Sequence, residues 1–205
     1  MLVVVGGHTR NIGKTSVVAG IIRALPERDW TAIKVTQFGH GICAASGGDC
    51  GCCLGENHPY AILQERRASD SDSGRFLSAG AQRSYWVRTA MGKLENAMPA
   101  IQEVRANSRN LIVESNSVVD FLKPDLFLMV LNFEKADFKP SSRRLLQQAD
   151  ACVVTGGNSG APLWNGIPSA LWMEKPRFVV VPPQYVTEEL AGFVAAASPS
   201  ACASV

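Results

Sequence analysis

Hydrophobic positions in this chain fall into two textures. Short apolar runs rich in β-branched residues, "LVVV" from Leu2, "TAIKVT" from Thr31, "SYWVRT" from Ser84, "NLIVES" from Asn110, "LFLMVLN" from Leu126, "ACVVTGG" from Ala151 and "RFVVVPP" from Arg177, show little polar–apolar alternation. Longer stretches lie between them, such as "KTSVVAGIIRAL" from Lys14, "KLENAMPAIQEVRA" from Lys93 and "SRRLLQQ" from Ser142, with apolar residues at helical spacing. Strands without alternation are buried on both faces, and helices that follow them in turn supply the cover, so the pattern predicts an α/β fold with a doubly wound, mainly parallel sheet. In such a sheet a ligand sits outside the carboxyl ends of the strands. Residues 38 to 70 break the pattern and read as a Cys/Gly-rich insertion after the second strand. No internal repeat is visible, and the domain organisation expected is one domain over 1–197 with a frayed tail at 198–205.

Bulk properties narrow the function classes. With 205 residues, 46% hydrophobic, 19% charged and a net charge of +2, the chain can bury one substantial core and has neither a nucleic-acid polycation's charge nor a disordered chain's polarity. The opening "MLVVVGG" is far too short to span a membrane and lacks a basic leader or a cleavage site, so a cytoplasmic protein without a membrane or nucleic-acid partner is expected.

The stretch "GGHTRNIGKTS", residues 6 to 16, follows the first strand directly and opens a helix expected over 15 to 25. A phosphate loop needs backbone N–H groups converging on phosphate oxygens, a lysine for the β- and γ-phosphates and a hydroxyl to ligate magnesium. Gly6, Gly7 and Gly13 allow the turn, Asn11 lies within it, Lys14 carries the charge, Thr15 supplies the magnesium hydroxyl and Ser16 completes the motif. The ligands expected are therefore a nucleoside triphosphate, GTP or ATP, with Mg2+, and the fold is that of a P-loop NTPase. A carboxylate at the end of a core strand must hold the magnesium shell or polarise water, and Glu114 ends "NLIVE" where such a group belongs; Asp72 and Asp120 are further candidates, or helix caps. Lys34, late in the second strand, either reaches a phosphate or an acidic substrate or is simply exposed. Guanine readers of this class carry Asn/Thr-Lys-x-Asp after a late strand; here Thr155 is in place, but glycine and Asn158 stand for the lysine and aspartate, which leaves the base open.

Five residues separate Gly7 from Gly13, one more than in the common loop, and this resembles the Gly-x5-Gly-Lys-Thr version of dethiobiotin synthetases. "DSGRFLSAGAQRSYWVRT", residues 72 to 89, resembles the Asp-Ser-x-Arg-x-x-x-Ala-Gly-Ala segment of MobB proteins of molybdopterin-guanine dinucleotide biosynthesis, matching at Asp72, Ser73, Arg75, Ala79, Gly80 and Ala81. The N-terminal loop, Lys34 and Glu114 follow the same family's order. The resemblance implies a GTP-binding, weakly hydrolysing, often dimeric protein with a protein partner in molybdenum cofactor assembly, in which Lys14 and Glu114 serve hydrolysis.

Four of the six cysteines, Cys43, Cys50, Cys52 and Cys53, crowd into the insertion, which in a reducing compartment is not a disulfide framework. Soft ligands on a glycine-rich backbone suit zinc, or an iron–sulfur cluster, with His40 or His58 available in place of one of the adjacent pair; reduced cysteines or a redox pair are the alternative. Cys152 reads as a small core residue and Cys202 as part of the tail. Two other functions therefore stand beside the MobB-like one: a metal-handling P-loop NTPase, serving as metallochaperone or sensor, and a small-molecule kinase or ligase like dethiobiotin synthetase.

Overall fold

The computed structural model describes residues 1–39, 60–156 and 161–198. Cys43, Cys50, Cys52, Cys53, Cys202, His40, His58 and Asn158 lie outside the described residues.

Among the described residues eight strands form one sheet: β1 (Leu2–Gly7), β2 (Trp30–Phe38), β3 (Tyr60–Gln64), β4 (Arg83–Ala90), β5 (Asn110–Glu114), β6 (Leu126–Asn132), β7 (Ala151–Thr155) and β8 (Arg177–Val180). Their order is β3-β4-β2-β5-β1-β6-β7-β8, and every pairing is parallel except β3 against β4. The helices are α1 (Lys14–Ala24), α2 (Asp72–Ser78), α3 (Met98–Ala106), α4 (Pro140–Gln148), α5 (Ala170–Met173) and α6 (Glu188–Ala196). The sheet separates two cores because strand side chains alternate between faces. Val3 and Val5 pack with Val17, Val18, Ile21 and Ile22 of α1 and with Leu190 and Val194 of α6. Leu2 and Val4 pack on the opposite face with Ile101 of α3 and Leu145 and Leu146 of α4. This two-sided burial is why β1, β5, β6 and β7 are uninterrupted apolar runs, and an α/β, doubly wound, mainly parallel architecture is what they build.

The connection leaving β1 runs through α1 to β2 on one side of the sheet, while the chain leaving adjacent β5 runs to β6 on the other. That reversal opens a crevice at the carboxyl ends of β1 and β5. The loop of residues 8 to 13 and Glu114 are both delivered there.

Three departures from the pattern-based expectation have plain causes. Strand β3 lies within the range read as irregular: it is a five-residue edge strand of half-exposed residues, too short and one-sided to announce itself. Helix α6 rests on Thr187, whose side chain accepts the Leu190 N–H at 3.3 Å, and buries only Leu190 and Val194, so its apolar periodicity is faint. Ser71, not Asp72, caps α2, accepting the Gly74 N–H at 3.0 Å. Cys152 is fully buried, as expected of a core residue, and burial pushes its thiol up to about 11. Among the described residues no helix is long and apolar enough to cross a membrane.

Candidate functional site

The glycines of the loop are required by space and by backbone angle. A Cβ on Gly7 would lie 2.8 Å from both Ile12 Cδ1 and Lys14 Cδ, so the chain can fold back onto its own lysine only without a side chain there. Gly13 has φ +91° at the helix entry, a left-handed conformation that suits glycine, and Asn11 is also left-handed at φ +53°. Alternating backbone handedness of this kind turns successive N–H groups inward. Helix α1 begins at Lys14 without a side-chain cap, so its first-turn N–H groups face the crevice with the positive end of the helix dipole.

Neutral, buried contacts hold the loop on its β6–β7 side. Thr155 Oγ donates to the Ile12 carbonyl at 2.9 Å, so this residue, aligned by sequence with a base-reading position, holds the loop instead. Asn116 clamps Gly7 from the other end: its Oδ1 accepts the Gly7 N–H at 2.7 Å and its Nδ2 donates to the Gly7 carbonyl at 2.8 Å. His8 is fully buried between Phe138 and Trp164, ring centroids 5.0 and 4.9 Å away. The backbone assigns its tautomer, since Nδ1 donates to the Asp137 carbonyl at 2.9 Å and Nε2 accepts the Asn132 N–H at 3.0 Å. Burial therefore lowers the His8 pKa to about 4, and the ring is neutral at physiological pH. Thr9 donates its hydroxyl to the Asp137 carboxylate.

Charged groups gather on the β5–β2 side. Adjacent parallel strands place Lys34 and Glu114 in register, and Lys34 Nζ lies 2.5 Å from Glu114 Oε1 and 2.7 Å from Asp72 Oδ2. Glu114 Oε2 accepts the Thr15 hydroxyl at 2.8 Å, so one carboxylate spans the second strand's lysine and the phosphate loop's threonine. Burial opposes charge on Lys34, but Glu114 and Asp72 outweigh it and hold the ammonium above its ordinary range; Asp72, likewise burdened by partial burial, is held below its ordinary range chiefly by Lys34. Lys14 differs. Its Nζ donates to the Thr9 carbonyl at 2.5 Å, and burial outweighs the attraction of Glu114, lowering its pKa to about 8.

These groups line a cleft of about 1040 Å3 that contains Gly7, Asn11, Gly13, Lys14, Thr15, Ser16, Lys34, Asp72 and Glu114 together. Among the described residues the structure thus brings together every position expected to contact nucleotide. Asp120 does not line it; its carboxylate pairs with Arg144 at 2.7 Å on the surface. Several further residues that line the cleft went unread as site residues, four of them bearing on its chemistry. Asn116 had no motif around it, Lys139 and Tyr185 come from distant loops, and Arg75, noted only through the family resemblance, donates to Ser16 Oγ at 3.0 Å from α2. Among the described residues no group of three or more His, Cys, Asp or Glu side chains is arranged to hold a metal ion.

Hard oxygen donors suit magnesium, and here the Glu114 and Asp72 carboxylates share one cation, Lys34 Nζ, while the Thr15 hydroxyl donates to the other Glu114 oxygen. Thr15, Glu114 and Asp72 therefore fit that ion as a ligand set, either directly or through its water.

No family model and no curated protein sequence matches the chain. Solved structures do. One is LpxK from Aquifex aeolicus, in an "apo" form in complex with ATP, at 14% identity and a TM-score of 0.46, covering 87% of this chain and 53% of that one. A second is from the MinC:MinD cell division protein complex of Aquifex aeolicus, at 16% identity and a TM-score of 0.38, covering 77% of this chain and 69% of that one. The chain thus spans about half the length of the LpxK chain it resembles.

Proposed function

We propose that this protein binds a nucleoside triphosphate with magnesium in the cleft above β1 and β5 and hydrolyses it slowly. The observation that carries this reading is the meeting of Lys14 and Thr15, from the loop, with Glu114, Lys34 and Asp72, from three other elements. A chance Gly-Lys-Thr turn has no reason to recruit a strand-end carboxylate to its threonine.

The work divides by position. Inward N–H groups of the loop and the first turn of α1 hold the phosphate chain, and Lys14 leaves the Thr9 carbonyl to neutralise it. Lys34 is a second cation within reach of the terminal phosphate. Magnesium, when bound, would neutralise developing charge on the phosphoryl oxygens. Thr15 and Glu114 would hold it, Glu114 orienting a water of its shell. Asn116 and Thr155 keep the loop in one conformation throughout, so its donors need no rearrangement.

The finer assignment, an accessory role in molybdopterin-guanine dinucleotide assembly with a protein partner and a homodimeric state, rests on the MobB-like stretch of residues 72 to 89. The geometry adds some support, because Arg75 of that stretch reaches Ser16 at the end of the loop motif and Asp72 pairs with Lys34 of β2 beside it. Equilibrium titration with GTP and ATP, with and without magnesium, tests the reading: one triphosphate per chain and magnesium-dependent phosphate release are expected, and binding of neither nucleotide rejects it. Stable association with a molybdopterin-modifying enzyme would separately support the pathway.

A further inference from the structure

We propose that Lys34 is a tethered cation that occupies the Glu114 and Asp72 carboxylates in the nucleotide-free protein, so that a divalent metal enters only together with a nucleotide that draws the lysine away. This rests on the nucleotide reading above and adds the order in which its two ligands can bind.

Three of the carboxylate oxygens that could receive a metal are already engaged. Lys34 Nζ takes Glu114 Oε1 at 2.5 Å and Asp72 Oδ2 at 2.7 Å, and the Thr15 hydroxyl takes Glu114 Oε2 at 2.8 Å. The Glu114 side chain is only 3% exposed and that of Lys34 16%, so their attraction is weakly screened, whereas Asp72, at 45% exposed, holds the lysine through a more screened one. Five cationic side chains, Arg10, Lys14, Lys34, Arg75 and Lys139, line the cleft against two carboxylates, Asp72 and Glu114, so the carboxylates are outnumbered before any metal arrives. A metal arriving alone would leave a buried ammonium beside a divalent ion, both seeking the same carboxylates. Nor can the lysine escape by a backbone shift, because its strand is locked in register between β4 and β5.

A metal–triphosphate complex removes that conflict. It brings more negative than positive charge, which gives Lys34 a phosphate oxygen in exchange for the carboxylates it surrenders. The long, flexible lysine stem permits the swing, and Lys34 already stands near enough to Lys14 for the two charges to repel. The anion between them therefore relieves a second unfavourable contact. The two ligands are thermodynamically coupled, each raising the other's affinity by the same factor.

Manganese titration of the nucleotide-free full chain, followed by electron paramagnetic resonance, reads this directly. Wild type is expected to show no stoichiometric site at submillimolar manganese. Lys34→Gln should gain one site per chain at least tenfold tighter than any in wild type, abolished by adding Glu114→Gln, whereas Lys34→Arg, which keeps the charge, should remain closed. A stoichiometric site in nucleotide-free wild type, or a folded Lys34→Gln protein that gains none, overturns the proposal. Should Lys34→Gln not fold, Lys34→Arg and wild type decide it: metal exclusion by both supports the proposal, and a site in either rejects it. Failure of the nucleotide reading would appear separately, as wild type that binds no triphosphate, and would leave the manganese result standing.

Discussion

The two flanks of the phosphate loop are built from opposite materials. His8, packed between Phe138 and Trp164, Thr155 at the end of β7 and Asn116, two residues past β5, hold the loop with neutral, backbone-directed hydrogen bonds, and no ligand competes for those bonds. On the β5–β2 side, Lys34, Asp72, Glu114 and Thr15 hold one another by charge and by charged hydrogen bonds, the same chemistry that magnesium and phosphate would offer. Saturated neutral contacts are costly to break and so confer shape; internal ion pairs can be exchanged for ligand ion pairs of equal kind. The proposed binding role asks the loop to stay rigid at its backbone and yield at its charges, and the two flanks differ in just those respects.

The largest effect expected is at Lys14, the loop's own charge. Lys14→Ala should weaken triphosphate binding by roughly a hundredfold or more, about 3 kcal/mol for the loss of charge-assisted hydrogen bonds, with thermal stability nearly unchanged or raised because an ammonium in an unfavourable, buried setting is removed. Titration calorimetry and thermal unfolding on the same preparation check both halves. Unchanged affinity would mean the charged flank does not serve phosphate.

The neutral flank is probed through His8. Its ordinary pKa is 6.5 and its folded value about 4, so between those limits the unfolded chain binds a proton that the native one refuses. The stability contributed by a neutral, buried His8 is complete above pH 6.5 and lost as pH falls towards 4. By urea unfolding, wild type should lose about 2 to 3 kcal/mol of its advantage over His8→Gln between pH 7 and pH 4.5. An advantage that stays constant across that range would show that His8 is not held neutral, and the contrast between flanks would fail.

Glu114→Gln should separate turnover from binding. The amide keeps a hydrogen-bonding oxygen for Thr15 but has no charge, so hydrolysis should fall about 10- to 100-fold while triphosphate affinity moves by only a few-fold. Single-turnover measurements distinguish this from slower product release; equal losses in both would place Glu114 in binding alone.

The smallest effect is a proton. Lys14 has a pKa of about 8 in the empty site, and bound phosphate favours its charged form, so affinity should be full below pH 8 and decline as pH rises through and above it, by up to about tenfold per unit. Calorimetry at pH 8.5 in buffers of different ionisation enthalpy should detect proton uptake on binding. No uptake would mean that Lys14 is already fully charged in the free protein.

The shape of residues 6 to 16 was legible because its demands are local: a glycine where φ must be positive, another where a side chain would strike Lys14, and a lysine and hydroxyl at the start of a helix. The parallel, two-faced sheet was legible for a similar reason, since burial on both sides forbids alternation within a strand. Glu114 and Lys34 could be placed at strand ends by the same pattern. Their pairing could not, because 80 residues separate them and only the β2–β5 register makes them neighbours. Asn116 on Gly7, Thr155 on Ile12 and His8 in its aromatic cluster were equally silent, each being a contact across more than a hundred residues. The sequence by itself determined which charged and hydroxyl groups stand at which strand ends; the tertiary structure alone decided which groups share a charge and which hold the loop, because strand order and register bring distant positions within hydrogen-bonding distance and no local propensity encodes them.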